Sequence, residues 1–372
     1  MEKSNRNKKK TKKKPLNLKL LIILCILQVV TLVSLCFSTE IEYMLKIRPN
    51  LSQISTSDLE VHFVDVGQGD CILIRFPDER TMIVDSGTKA SKSELINYID
   101  NVFFYKSEKV FDYALLTHSD ADHSGNMEYI IENYTIKNFY RPRAYAVDVE
   151  ESTGGMKIST ATYSGVISAL LASEIQNVFY TDEPDLDIED ANGNRIVTFY
   201  SHNMDNLEDS NAYSPIIVIE SYGKRICLTG DAPKSTEYEV IDSYDLPDVD
   251  VLKLAHHGSY TSTSLEFLNA ITPEYAVVSV GENLYGHPSE ATLITLASYD
   301  ELADKNTYNN LLTTQNDGNI VFHFNQIGDI SYLTIDNVND YIFVPYYVIV
   351  VLVSAVLITN IYFVVFRKTF KK

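Results

Sequence analysis

The chain has 372 residues, 31 of them basic and 50 acidic, for a formal charge of −19. Thirteen of the basic residues lie in the ends (nine within 1–19, four within 367–372) against the single acid Glu2, so 18 basic residues face 49 acids between them. That middle, 18 minus 49, has a formal charge near −31. Such a body repels polyanions at long range and excludes a general nucleic-acid binder unless a local basic groove or bound cations reverse the sign. Four cysteines make neither a metal cluster nor a disulfide framework. Cys25 and Cys36 lie in an apolar run and Cys71 and Cys227 in strand-like runs, which reads as free thiols, with a Cys71–Cys227 bridge the minority alternative.

Residues 20–37 are apolar but for Gln28, Thr31 and Ser34. Eighteen helical residues rise about 27 Å, enough for a hydrocarbon core. Residues 342–366 carry no charge and have Tyr341, Tyr346, Tyr347 and Tyr362 near their ends, as interfacial belts do. Both runs have basic residues on the distal side and acids (Glu40, Glu42, Asp336, Asp340) on the proximal side. The positive-inside rule then places both termini in the cytoplasm and the middle outside. A cleaved signal peptide is the alternative for the first run, but no small-x-small site follows it. The expected order is a basic tail (1–19), a transmembrane helix (20–37), an extracytoplasmic domain (59–338), a second transmembrane helix (342–366) and a basic tail (367–372).

The middle opens on short β runs at 61–66, 71–76 and 81–84, separated by Gly67-Gln68-Gly69-Asp70 and Pro77-Asp78 turns. A buried strand is expected at 110–117, helices at 127–133 and 163–171, and extended runs at 177–180 and 195–200. The acidic stretch 182–194 reads as a surface loop. Runs 215–220 and 224–229 form a hairpin through Tyr222-Gly223, strands at 249–255 and 275–280 flank a helix, and 319–324 and 331–335 close the domain. Mostly antiparallel strands in two halves, each with helices, predict an α/β (α+β) arrangement of two sheets covered by helices.

Residues 117–125 read Thr-His-Ser-Asp-Ala-Asp-His-Ser-Gly. Two histidines and two carboxylates within six residues, at a strand end, converge on metal with little chain reorganisation, and imidazole with carboxylate suits Zn²⁺, Mn²⁺ or Fe²⁺. Further along come Thr229-Gly230-Asp231, His256-His257-Gly258-Ser259 and Tyr285-Gly286-His287-Pro288, each after a β run. Two adjacent histidines in a strand point opposite ways, so one of His256 and His257 is expected to face the site and the other to pack.

These runs, with His62-Phe63-Val64-Asp65-Val66-Gly67-Gln68-Gly69-Asp70 before them and Thr314-Gln315-Asn316-Asp317-Gly318-Asn319-Ile320 after, resemble the metallo-β-lactamase domain of ComEC-type DNA-uptake proteins. More distantly the chain resembles phosphorylcholine esterases of the same fold. The resemblance covers about residues 59–335. It implies an αββα sandwich with a dinuclear site on one edge, holding two divalent ions, Zn²⁺ or Mn²⁺. His118 would bind one ion, with Asp120 standing where many members have a second histidine and His202 an even candidate for the missing ligand. Asp122 and His123 would bind the other, Asp231 would bridge, and His287 would complete the coordination of the second ion. Asp122 would also orient the nucleophile, a water activated between the ions, while His256 or His257 holds phosphate oxygen or acts as general acid. Asp65 and Asp85 would orient ligand imidazoles.

The implied activity is a membrane-anchored, extracytoplasmic phosphodiesterase or nuclease acting on DNA or RNA. A phosphodiesterase of envelope polymers or lipid headgroups (teichoic acid among them) is the alternative. A non-catalytic sensor or assembly subunit of the same fold is a third reading, against which the intact ligand set argues. The multi-helix channel of the ComEC-type proteins has no counterpart in the sequence, and Asp120 argues against β-lactam hydrolysis.

Overall fold

The computed structural model describes residues 57–335 apart from 106, 147–155, 159, 181–185, 201 and 203–208, together with 26, 28–30 and 354–356. The chain divides into two units, Asn50–Asp340 and the two ends, Met1–Pro49 with Tyr341–Lys372. The expected spans at 20–37 and 342–366 lie almost wholly outside the described residues, and the few described within them are helical. Among the described residues no helix is long and apolar enough to cross a membrane.

The Asn50–Asp340 unit is a two-sheet sandwich. β1 (Leu59–Phe63), β2 (Ile72–Arg75) and β3 (Thr81–Val84) form an antiparallel meander, with Phe63 opposite Ile72 and Ile72 opposite Val84. β4 (Val110–Leu115) and β5 (Thr135–Arg141) extend it by parallel pairing. β6 (Ala144–Ala146) and β7 (Met156–Ile158) pair only with each other, and β8 (Gln176–Phe179) returns beside β5. The second sheet takes β9 (Asp187–Glu189), β10 (Arg195–Tyr200), β11 (Ile216–Ser221) and β12 (Lys224–Leu228) as antiparallel neighbours. It continues in parallel through β13 (Val251–Lys253), β14 (Tyr275–Val278) and β15 (Leu311–Thr313). β16 (Asn319–Phe324) and β17 (Ile330–Ile335) then rejoin the first sheet next to β1.

Half of these pairings are parallel, so the mostly antiparallel arrangement expected from the short β runs is corrected. Parallel neighbours need crossover connections, and helices supply them. Lys92–Tyr98, Met127–Asn133 and Ala161–Leu171 link the parallel strands of the first sheet, and Lys234–Ser243, Leu265–Ile271 and Glu290–Ala303 those of the second. Thr160, Ser264 and Ser289 cap three of these helices, each side-chain oxygen accepting a backbone N–H three residues on. The stretch expected to be a surface loop at 182–194 contributes the edge strand β9.

Alternation along the strands sorts side chains between two cores. Ile217, Ile219, Ile226, Leu228, Val251 and Val277 point between the sheets, where they meet Phe63, Ile72, Ile74, Val84, Leu115 and Phe322. Ile216, Val218, Cys227, Leu252, Ala276 and Val278 point the other way, onto Val240, Phe267, Leu268, Leu296 and Tyr299 of the covering helices. Cys71 and Cys227 are both buried free thiols, which fits the reading of unpaired cysteines. Lys253 shares the inward face of β13 with Val251, so the period of the strand drives a lysine between the sheets.

Candidate metal centre

The parallel registers align the carboxyl ends of β3 and β4 in one sheet and of β12, β13 and β14 in the other. The loops leaving those ends carry the polar residues. Asp85 follows β3, His118 to His123 follow β4, Asp231 follows β12, and His256 and His257 follow β13. Asp70, from the β1–β2 connection, joins them because its backbone N–H donates to the Asp122 carbonyl at 3.1 Å. That approach requires Gly69, where a Cβ would sit 2.5 Å from the Asp122 carbonyl oxygen. Gly125 is likewise pressed against the Gly87 carbonyl oxygen, which a Cβ would meet at 2.3 Å.

Three buried imidazoles are held by Nδ1 and offer Nε2. Thr117 gives its hydroxyl proton to Asp85 Oδ2 at 2.7 Å, which leaves its oxygen to accept from His118 Nδ1 at 3.1 Å. His123 Nδ1 donates to Asp85 Oδ2 at 2.7 Å, and His257 Nδ1 donates to the Ser279 carbonyl at 2.8 Å. This is the tautomer a metal ligand takes when a second group orients its ring. Nε2 of His118, Nε2 of His123 and Oδ1 of Asp231 are buried and have no hydrogen-bond partner. His123 Nε2 lies 3.1 Å from Asp231 Oδ1, and His257 Nε2 lies 3.3 Å from Asp122 Oδ2. Two ligands of a tetrahedral ion with bonds of about 2.0–2.1 Å are themselves about 3.3 Å apart, so the donor set fits one. Ligand atoms of Asp122, His123, Asp231 and His257 all fall within 4.8 Å of one another, as do those of Asp70, Asp85 and His123.

The charges point the same way. Asp70, Asp85 and Asp231 are each at most 2% exposed. Lys253, fully buried, pairs with Asp70 Oδ2 and also donates to the Gly230 carbonyl at 3.2 Å. One lysine leaves the group strongly negative, and the histidines respond. Burial alone would lower His257, but Asp231, Asp122 and Asp70 raise it to about 9, and His123 rises well above its ordinary value through Asp231, Asp85 and Asp70. His118, buried and 4.2 Å ring to ring from His123, falls to about 4. Burial opposes ionisation of Asp122, yet the His257 hydrogen bond and the charges of His123 and His257 bring it down to about 2. A field that holds protons on buried imidazoles also attracts divalent cations.

The sequence model of the metallo-beta-lactamase superfamily matches residues 64–282, more than half of the chain. The chain belongs to the metallo-β-lactamase superfamily. It is 29% identical over 304 residues to ComE operon protein 3 of Bacillus subtilis (strain 168), covering 78% of this chain and 36% of that protein. To competence protein ComA of Neisseria gonorrhoeae it is 27% identical over 237 residues, covering 61% and 28%. The chain thus spans about a third of the length of the curated relatives it matches. Among solved structures, Tm1679, a metal-dependent hydrolase of the beta-lactamase superfamily, aligns at a TM-score of 0.41 and 10% identity over 74% of this chain and all of that one. That score is too low to add to the family assignment.

Within this metallo-β-lactamase site the structure separates the expected residues. His118, Asp120, Asp122, His123 and Asp231 come together: Asp120 Oδ2 and Asp231 Oδ2 each lie 3.9 Å from His118 Nε2. Asp120 is itself held by the Ser210 hydroxyl, which donates to it at 2.6 Å. His256 and His257 do not alternate across a strand. They occupy the turn Ala255–Gly258 with left-handed φ of 51° and 52°, and each Nε2 lies 3.7 Å from Asp231 Oδ2. His257 stands in the four-residue group in the place expected for His287, which lies outside it, its ring 6.4 Å from that of His257. His202 is in neither group: its Nε2 donates to the Ala212 carbonyl at 2.6 Å. Asp85 holds His123 as described, whereas Asp65 accepts the Gly67 N–H at 3.1 Å and its own N–H donates to Asn319. Asp70 and Lys253 escaped sequence reading. A charged residue on the inward register of a strand buried on both faces was the available signal for Lys253.

Two outcomes follow for purified full-length chain. In metal-free protein His257 has a folded pKa of about 9, above its unfolded value of about 6.5. Its protonation therefore contributes stability that is fully present below pH 6.5 and lost as pH rises through 9. Thermal unfolding after chelation should show that fall, and saturating Zn²⁺ or Mn²⁺ should remove it, because the ion displaces the proton. A chelated protein with a flat profile from pH 6.5 to 9.5 would contradict the charge argument. Lys253→Met leaves Asp70 buried without its ammonium partner, which costs up to about 3–5 kcal/mol, less what the imidazoles of His123 and His257 offset. Adding Asp70→Asn should restore much of that stability in denaturant melts, and an additive double mutant would count against the pair.

Proposed function

We propose that this chain is a membrane-anchored, extracytoplasmic phosphodiesterase that acts on DNA or RNA with two divalent ions, Zn²⁺ or Mn²⁺. The observation that carries the reading is the convergence of Asp122, His123, Asp231 and His257 beside the partnerless Nε2 of His118. One ion would take those four residues, and the other would take His118 and Asp120 and share Asp231. Such ions supply an acidified water and neutralise charge that builds on a phosphoryl oxygen. The chain does the rest. Asp85, Thr117 and Ser279 fix the imidazoles, and Asp122, one-third exposed, faces the substrate side. His256 is a quarter exposed, with Nδ1 3.2 Å from the Thr261 hydroxyl and Nε2 free to give a proton to the leaving oxygen. Relatives named for competence favour nucleic acid over other diesters. The acidic body favours the second reading, an envelope polymer or lipid headgroup met at close range. The intact donor set argues against a non-catalytic sensor.

The basic flanks support two membrane anchors with both termini cytoplasmic. The described apolar residues of the first run, Ile26, Val29 and Val30, are helical and about half exposed, a surface that lipid would cover. A cysteine at the exposed turn position Asn192 should react with an impermeant maleimide on intact cells. Labelling that appears only after lysis would reverse the topology.

Detergent-solubilised full-length chain with Mn²⁺ or Zn²⁺ should hydrolyse oligonucleotides and contain two ions by metal analysis. Asp231→Ala should lose metal and turnover together. His256→Ala should keep both ions and lose turnover by roughly 10²–10⁴-fold, less for a p-nitrophenolate leaving group that needs no proton. Loss of metal in His256→Ala would move that residue into the ligand set, and one ion in active protein would end the dinuclear assignment.

A further inference from the structure

The segment 281–288, beside the candidate metal centre, presents two large side chains that the fold leaves uncovered. Leu284 is completely exposed and Tyr285 is 77% exposed. Tyr260, three residues past His257, is 67% exposed on the neighbouring loop. The loop that carries Tyr285 is fixed at its backbone. The Asn283 side-chain oxygen accepts the N–H groups of both Tyr285 and His287 at 3.1 Å. Its amide donates to the carbonyls of Gly281 and His287 at 2.9 Å. A loop closed on its own asparagine holds the backbone that presents the tyrosine.

The rings form a continuous series. Tyr285 stacks on His287, centroids 5.7 Å apart and planes 28° apart. His287 lies 5.7 Å from His256 and 6.4 Å from His257, and both of these reach Asp231. A phosphodiester at the Asp231 end would therefore place its next planar group over the phenol. The acidic body offers few cations for phosphate contacts, so recognition of a polyanion here falls to ring faces. Stacking on aromatics is indifferent to charge and needs bases that are already unpaired.

We infer that Tyr285, seated on His287, is a stacking platform for an unpaired nucleobase next to the scissile phosphodiester. The substrate class is single-stranded nucleic acid. This rests on the phosphodiesterase reading above, and it gives His287 a place beneath the platform and outside the four-residue ligand group.

The test compares oligothymidylate with an abasic phosphodiester oligomer of equal length, using full-length chain and Mn²⁺. Tyr285→Ala should lower the ratio of kcat/KM for thymidylate over abasic oligomer by about tenfold, through KM, and Tyr285→Trp should restore it. Irradiated 5-iodouracil oligomer should crosslink to Tyr285, a readout that needs no turnover. Equal ratios in wild type and Tyr285→Ala, or crosslinks confined to other loops, would overturn the platform and leave the phosphodiesterase reading standing. A Tyr285→Ala defect on phosphatidylglycerol vesicles and not on oligomers would also overturn it, and would make the loop a membrane-facing tip. Failure to cleave either oligomer or bis(p-nitrophenyl) phosphate would sink the phosphodiesterase reading itself, and the platform with it.

Discussion

Asp70, Asp85 and Asp231 stand within a few ångströms of the same imidazoles, almost fully withdrawn from water, with Lys253 as the buried ammonium that faces them. Like charges about 4 Å apart repel by about 4 kcal/mol at an effective dielectric of 20, so this group is stable only with cations among it. Lys253 supplies one and protonated histidines or metal ions the others. The same contacts hold the architecture. Lys253 spans from Asp70 in the first sheet to the Gly230 carbonyl in the second, and Asp85 ties the end of β3 to Thr117 and His123 after β4. The charge that the site needs for chemistry is thus also the fastening at this end of the sandwich.

Backbone strain serves that arrangement. Asp85, His256 and His257 all have left-handed φ, at 58°, 51° and 52°, although none is a glycine. Each such residue costs of order 1–3 kcal/mol, and it persists where surrounding bonds over-determine it. In an extended strand His256 and His257 would diverge. The left-handed turn swings both toward Asp231, one buried against Asp122 and the other open to solvent, so two adjacent residues take different roles on the same side of the chain.

Much of this was legible because the informative residues are local. The His118–His123 run names a metal loop by density alone, and the strands around it follow from two-residue alternation. The two sheets and the convergence of His118, Asp120, Asp122, His123 and Asp231 could be read directly. What escaped reading depends on partners far apart in sequence. Parallel pairing of β12 to β15 is invisible locally, since it is set by helices such as Lys234–Ser243 that carry only a weak apolar stripe. That His257 lies beside Asp122 follows from the turn at Ala255–Gly258, whose left-handed backbone no motif announces. Lys253 takes its meaning from Asp70, which lies 183 positions earlier in the chain.

The two ends of the sandwich differ in a way that explains where chemistry can occur. A cavity of about 530 Å³ opens at the turn end, lined by Phe76, Asp190, Asn194, Arg195, Glu220 and Tyr222. Its charged groups are already engaged: Arg195 with Asp187, Arg225 with Glu220, and Asp190 with the N–H groups of Asn192 and Asn194. A ligand there would have to displace bonds that the turns need. At the opposite end the strands stop at their carboxyl ends, where parallel sheets commonly bind ligands, and Nε2 of His118 and His123 with Oδ1 of Asp70 and Asp231 are left buried without hydrogen-bond partners. Room is therefore a poor guide in this molecule. The end whose donors the fold has oriented and left unsatisfied is the one with free energy available for binding.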